Sequence, residues 1–181
     1  MRIDNSLKGN IKIPLKWEIP ALLVILLLSA VLYLFQLEAD PPDKISNSQG
    51  INTDPPAYTL SARHYIQTGD WNPLDDNRFP THRYSFISGV AVIIYSALGV
   101  STWTTNFAGA VLGWLSLILF YLIMRRGTGS GTALPTILFL SVNYIGIFFG
   151  RRPFLEVGMN FLFLLALCCL VYLEEKRTGH F

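Results

Sequence analysis

Long apolar stretches separated by short polar segments dominate the chain. A helix that crosses a bilayer needs about 20 predominantly apolar residues. Four stretches approach or reach that length, namely 19–37, 103–124, 133–149 and 157–173. Because helices satisfy their own backbone hydrogen bonds in lipid, the pattern predicts an all-α integral membrane protein with about four transmembrane helices.

A fifth apolar stretch, residues 84–100, decides the direction of every later span. It is short, and serine and glycine interrupt it. Two residues separate it from the apolar stretch that starts at Trp103, which leaves little room for a turn between two crossings. We therefore predict an interfacial helix over 84–100 rather than a transmembrane helix.

Charged residues on both sides of the first span predict its orientation. Three lysines precede it and three acids follow it: Lys8, Lys12 and Lys16, then Glu38, Asp40 and Asp43. Because cytoplasmic flanks carry the excess of lysine and arginine, residues 1–18 are expected in the cytoplasm and 38–102 outside. Alternation then predicts three further segments: a cytoplasmic turn over 125–132, an outer loop over 150–156 and a cytoplasmic end over 174–181. Arg151 and Arg152 on the outer side depart from that rule.

Composition narrows the class of protein. Apolar residues make up 51 %, charged residues 14 %, and mean hydropathy is +0.41, which excludes an intrinsically disordered chain. A net charge of +2 without a clustered basic face gives no case for a nucleic-acid partner. The adjacent Cys168 and Cys169 form no disulfide or metal pattern. We expect a multi-pass protein of the plasma (inner) membrane.

The long outer segment 38–102 contains a second helix signal. Thr53, Asp54 and the prolines after them are typical of a helix start, in which Asp54 would be the N-cap. Gly69 is typical of a C-cap. The pattern predicts an amphipathic helix over about 54–67 that lies on the outer leaflet.

The string TDPPAYTLSARHYIQTGDWNP resembles the first outer loop of GT-C membrane glycosyltransferases, in particular glycosyltransferase family 39 and the aminoarabinose transferase of lipid A. The family pattern is an acid, a tyrosine, Ala-Arg and Gly-Asp-Trp. These are Asp54, Tyr58, Ala62-Arg63 and Gly69-Asp70-Trp71 here. A second pattern, Gly-Arg followed by an acid that is often aspartate, resembles Gly150-Arg151 and Glu156.

The resemblance implies transfer of a hexosyl or pentosyl group from a polyprenyl-phosphate donor to a lipid, glycan or protein acceptor outside the cell. Asp54 is then the base that deprotonates the acceptor hydroxyl, and Glu156 is a second catalytic carboxylate. Four residues would bind substrate, with arginines neutralising the phosphate: Tyr58, Arg63, Arg151 and Arg152. Family members have many more spans, so we expect this chain to be an N-terminal part that is inactive alone.

Simpler interpretations stand beside these roles. Asp54 caps a helix, Arg63 lies on a solvated face, and Glu156 is a boundary residue whose natural partners are Arg151 or Arg152. The whole chain could instead be a non-enzymatic membrane protein or subunit. A transporter fragment ranks third, and Pro135 and Asn143 hint at the broken helix it needs.

Neither a cofactor nor a metal site is predicted. Asp40 and Asp43 supply the oxygen ligands that a divalent cation takes, but two acids in a proline-rich turn are too common to indicate one. The glycine-rich segment 127–131 lacks the Lys-Ser/Thr of a phosphate-binding loop, and we interpret it as a flexible turn.

The predicted orientation is tested by cysteine labelling of intact cells with a membrane-impermeant maleimide. Single cysteines at Ser48 and Asn77, with Cys168 and Cys169 replaced by alanine, are expected to react because 38–102 lies outside. A cysteine at Gly127 is the matched control and should react only after permeabilisation. Protection of both outer sites would contradict the orientation.

Overall fold

The computed structural model describes residues 12–39, 49–72 and 85–178, and all its regular elements are helices. Seven are α-helices: α1 (Leu15–Leu34), α2 (Gln49–Thr68), α3 (Phe86–Leu98), α4 (Thr102–Thr128), α5 (Ser130–Ser141), α6 (Tyr144–Gly150) and α7 (Leu155–Thr178). A 3₁₀ turn, Leu37–Ala39, follows α1.

Three of these helices, α1, α4 and α7, are long and apolar enough to cross a membrane. The pair α5 and α6 passes the same test together, with a bend of 67° between them. The predicted class, an all-α integral membrane protein with about four transmembrane helices, is confirmed by these three to four apolar helices.

The central helix of the bundle is α4. Within its apolar window, 44 % of the residues are buried, against 22 % in α1 and in α7. It contacts α1, α3, α5, α6, α7 and the 3₁₀ turn. Small buried residues, among them Ala108, Gly109 and Gly113, let neighbouring backbones approach closely. Such approach matters because helices in lipid associate by packing rather than by exclusion from water.

Two buried clusters of side chains pack on different parts of α4. One joins it to α1 and α5 through Ile25, Tyr33, Leu37, Ala110, Leu117, Tyr121, Ala133, Leu134 and Ile137. The other joins it to α2, α3 and the start of α7 through Ala62, Ile87, Ala91, Tyr95, Ala108, Leu112, Phe154 and Val157. The second cluster therefore fixes α2 and α3 against the bundle.

The bent pair α5–α6 begins beside the start of α1 and ends beside the end of α1. At its beginning, the Ile13 backbone N–H donates to Ser130 Oγ at 2.8 Å. Just after its end, Arg151 Nη1 donates to the Leu32 carbonyl at 3.2 Å. We therefore interpret the pair as a broken span and not as a re-entrant loop. The predicted span 133–149 is divided at residues 142–143.

Asn143 explains where the span breaks. Its side chain accepts a hydrogen bond from the Gly146 N–H at 2.9 Å, so it is the N-cap of α6. Asparagine is a favoured N-cap, because its oxygen satisfies an N–H that has no partner within the helix. Pro135, the other hinted break, lies inside α5.

A buried carboxylate joins the start of α1 to the end of α4. Glu18 is 4 % exposed and accepts hydrogen bonds from Arg125 Nε and from the Tyr121 hydroxyl. Arg125 Nη2 donates to its second oxygen at 3.2 Å. This contact makes α1 and α4 antiparallel neighbours. The assignment of the two ends to cytoplasm and exterior stays a prediction.

The helix boundaries correct two expectations. The second helix begins at Gln49, so Asp54 lies in its second turn and not at its N-cap. Pro55 and Pro56 therefore lie inside α2 and not in its first turn, so the preference of proline for helix starts misplaced this boundary. The predicted turn over 125–132 is narrowed to Gly129, whose φ of +84° separates α4 from α5.

Two other expectations agree with the structure. Gly69 ends α2 as predicted, with a φ of +80° and its N–H donating to the Tyr65 carbonyl at 2.8 Å. The third helix has 13 residues and a length of about 20 Å, short of the roughly 30 Å hydrocarbon thickness. Its position on a membrane surface stays a prediction.

The contact between α4 and residues 152–153 generates a test with a matched control. A Cβ at Gly109 would lie 2.2 Å from the Arg152 carbonyl carbon, so the backbone would have to shift. We expect Gly109→Ala to lower the free energy of unfolding by about 2 kcal/mol or more. At Gly89 in α3 a Cβ meets nothing within 4 Å, so Gly89→Ala should be neutral or stabilising.

Thermal unfolding of both variants in detergent measures the difference. Equal melting temperatures for the two variants would contradict the close contact.

Candidate functional site

A cleft of about 560 Å³ lies between α4, the bent pair α5–α6 and α7. Most of its lining is apolar, with Leu117, Phe120 and Phe163 as examples. Its polar side chains come from three helices, α1, α4 and α7, and from the break between α5 and α6: Tyr33, Ser116, Asn143, Glu156 and Asn160. The cleft is thus an apolar space with a few polar groups, the usual character of a small-molecule site.

The break in the span and two glycines beside it keep this space open. Leu140, Asn143 and Phe149 of the bent pair line one wall. Gly113 of α4 and Gly146 of α6 also face it and add no side-chain volume. The Tyr33 hydroxyl donates to the Gly146 carbonyl at 3.4 Å, which holds α6 against α1 beside the break.

Glu156 lies in the first turn of α7 and lines the cleft with its side chain exposed. The helix dipole favours a carboxylate at this position. Asn160 follows one helical turn later and therefore lies on the same face. Within residues 12–39, 49–72 and 85–178, Glu156 forms no hydrogen bond or ion pair, so the expected pairing with Arg151 or Arg152 is not observed there.

Arg151 is directed toward the end of α1. Its Nη1 donates to the Leu32 carbonyl at 3.2 Å, and its Nη2 donates to the Phe35 carbonyl. The last carbonyls of a helix have no partner within the helix, and a guanidinium satisfies two of them here. Arg151 therefore fastens loop 151–154 to α1, and it is not among the residues that line the cleft.

Arg152 is buried, with 1 % of its surface exposed. Its guanidinium carbon lies 4.2 Å from the centre of the Phe148 ring, a cation–π contact. Its backbone packs against α4 at Gly109. Both arginines thus have structural contacts, and a substrate contact by either one stays a prediction.

The site residues predicted on α2 differ in how far the structure describes them. Tyr58 is half-buried, and its carbonyl accepts a hydrogen bond from Ser88 of α3. Arg63 is exposed. Asp54 lies in α2, but its side chain is outside the described ones. Asp40 and Asp43 are outside the described residues altogether.

The structure brings two of the predicted motif segments together. Ala62 of α2 and Val157 of α7, which flank Arg63 and Glu156 in sequence, belong to the same buried cluster. Asn160 was missed by the sequence analysis, although an amide within an apolar span is itself a signal of function. No group of three metal-ligating side chains forms among the described residues.

Comparisons with known proteins assign no family. No family model and no solved structure matches the chain. A 112-residue segment is 30 % identical to an uncharacterized protein of Aquifex aeolicus (strain VF5). The match covers 61 % of this chain and 22 % of that protein, so the chain corresponds to about a fifth of the relative's length.

The contact of Arg151 with α1 generates a stability prediction. Arg151→Met removes both hydrogen bonds and leaves the Leu32 and Phe35 carbonyls unsatisfied, so we expect a loss of about 1–3 kcal/mol. Arg63→Met changes the same charge on an exposed face and should cost little. Chemical unfolding in detergent measures both variants. An Arg151 variant as stable as the Arg63 variant would contradict the structural role.

Proposed function

We propose that the chain is part of a membrane glycosyltransferase similar to the GT-C class. It would transfer a sugar from a polyprenyl-phosphate donor to a lipid, glycan or protein acceptor on the outer side. The observation that supports this most is the shared cluster of Ala62, Ile87 and Val157. Through α3 it connects α2 with the start of α7, and these two helices carry the motifs of the resemblance.

Asp54 is the proposed base. A carboxylate within hydrogen-bond reach of an acceptor hydroxyl accepts its proton as the new bond forms. Asp54 belongs to α2, which contacts α3, and α3 contacts the start of α7. This order of contacts supports a site that includes both Asp54 and Glu156.

Arg63 is the proposed partner of the donor phosphate. Its side chain is exposed on α2, whereas Arg151 bonds to α1 and Arg152 is buried. Arginine suits phosphate because its guanidinium donates two parallel hydrogen bonds. The half-buried Tyr58, one turn before Ala62 on the same helix, is the proposed second substrate contact.

A transporter fragment is the second candidate, and the broken span supports it. Interrupted helices in membranes line cavities, and transporters use them at their binding sites. The break at Asn143 lies on the cleft. The two candidates differ in chemistry, because a transporter does not cleave the sugar–phosphate bond.

Asp54→Asn in the full-length protein tests the glycosyltransferase. Asparagine has nearly the same shape but accepts no proton, so we expect transfer to fall by about 10²–10⁴-fold. The measurement is release of polyprenyl phosphate from a panel of radiolabelled polyprenyl-phosphate hexoses and pentoses in membranes. Glu38→Gln, the matching loss of a carboxylate charge at an exposed position in the 3₁₀ turn, should retain activity.

Comparable thermal unfolding of the two variants establishes that Asp54→Asn is folded. A folded Asp54→Asn protein with normal transfer would exclude Asp54 as the base. Absence of sugar release by wild-type membranes across the panel would favour the transporter.

A further inference from the structure

The cleft between α4, α5–α6 and α7 has a negative charge that no cation of its lining balances. Glu156 is its acidic residue, and no lysine, arginine or histidine lines it among the described residues. Arg151 and Arg152, the nearest basic residues in sequence, are directed to the α1 carbonyls and to the Phe148 ring. The carboxylate therefore favours a cationic ligand over an anionic one.

The surroundings of the cleft favour a ligand that comes from the bilayer. Large apolar side chains are exposed on both of its walls: Phe139, Tyr144, Ile145 and Phe149 on the bent pair, and Met159 and Phe163 on α7. In a membrane such surface is covered by acyl chains. The cleft volume of about 560 Å³ lies within the roughly 300–1,000 Å³ of small-molecule sites.

Polar groups follow Glu156 into the apolar part of the cleft. Asn160 is exposed one turn along α7, and Asn143 is exposed at the break of the opposite wall. A zwitterionic phospholipid has a similar order of chemistry: a terminal ammonium, then a phosphate diester and ester linkages whose oxygens accept hydrogen bonds from amide N–H groups, and then hydrocarbon. The order of groups in the cleft therefore matches a lipid whose headgroup ends in an ammonium.

We propose that the cleft binds a phospholipid with a primary ammonium headgroup, through a charge-assisted hydrogen bond from the ammonium to Glu156. Hydrogen bonds between ionised groups are shorter and stronger than neutral ones. The acyl chain lies along the apolar lining. Glu156 is shared with the proposed glycosyltransferase site, but lipid binding is measured without glycosyl transfer and its ligand differs from the anionic donor.

Native mass spectrometry of the purified protein tests this with three phospholipids that have identical acyl chains. Phosphatidylethanolamine has an ammonium with N–H donors, phosphatidylcholine has a cation without them, and phosphatidylglycerol has a net negative charge. We expect about tenfold more bound phosphatidylethanolamine than phosphatidylglycerol, with phosphatidylcholine between them.

Glu156→Gln removes the charge and keeps the shape of the side chain. The preference for phosphatidylethanolamine over phosphatidylglycerol should therefore fall to less than about twofold. Glu38→Gln is the matched control, because Glu38 is exposed in the 3₁₀ turn and does not line the cleft. It should retain the tenfold preference. An equal loss in both variants would assign the preference to the surface charge at this end of the helix bundle and would overturn the proposal.

A photoreactive phosphatidylethanolamine adds a measurement that needs no variant. With a diazirine near its headgroup, it should label wild-type peptides that contain Glu156 to Asn160 or Asn143. Labelling confined to other helices overturns the proposal. A cleft occupied by a further protein helix, the rival occupant, would give no label at these positions and no headgroup preference, and would overturn it as well.

Discussion

The close approach of loop 151–154 to α4 is the contact on which the rest of the arrangement depends. The backbone at Arg152 and Pro153 lies where a side chain at Gly109 would be, and the Gly150 carbonyl oxygen lies 2.7 Å from where a Cβ at Gly113 would be. Because α4 has no Cβ at these positions, the loop is held against the central helix. The loop in turn determines where α6 ends and where α7 begins, and thereby the two walls of the cleft and the position of Glu156.

Backbone polar groups explain why the chain between α5 and α7 has this form. An interrupted helix in lipid must satisfy the groups it frees. Asn143 bonds to the Gly146 N–H, Tyr33 bonds to the Gly146 carbonyl, and Arg151 bonds to the end of α1. The first contact satisfies a group that the break frees, and the other two hold α6 and the loop after it against α1. Asn143 and Tyr33 also line the cleft, whereas Arg151 does not.

The long spans were predictable from the length of the apolar stretches. The end of α2 was predictable because glycine readily takes the positive φ found at Gly69. The break at Asn143 was only hinted at, because the apolar length of 133–149 suits a single span and what interrupts it is one side-chain hydrogen bond. The Glu18–Arg125 pair was missed for a different reason. In the sequence each residue is an ordinary charged residue at the end of its own span. Only the packing of α1 on α4 brings the two together. At the site, the place of Glu156 followed from sequence, while the direction of the Arg151 guanidinium depends on where α1 ends.

The buried Glu18 also bears on the order of biosynthesis. Its partners Tyr121 and Arg125 are 103 and 107 residues further along the chain, so Glu18 has neither of them when α1 is first inserted. An ionised side chain at the edge of the hydrocarbon is costly until it is paired. Membrane helices insert individually and associate afterwards. The start of α1 therefore has to remain near water until α4 arrives, and packing on α4 sets the final depth of α1.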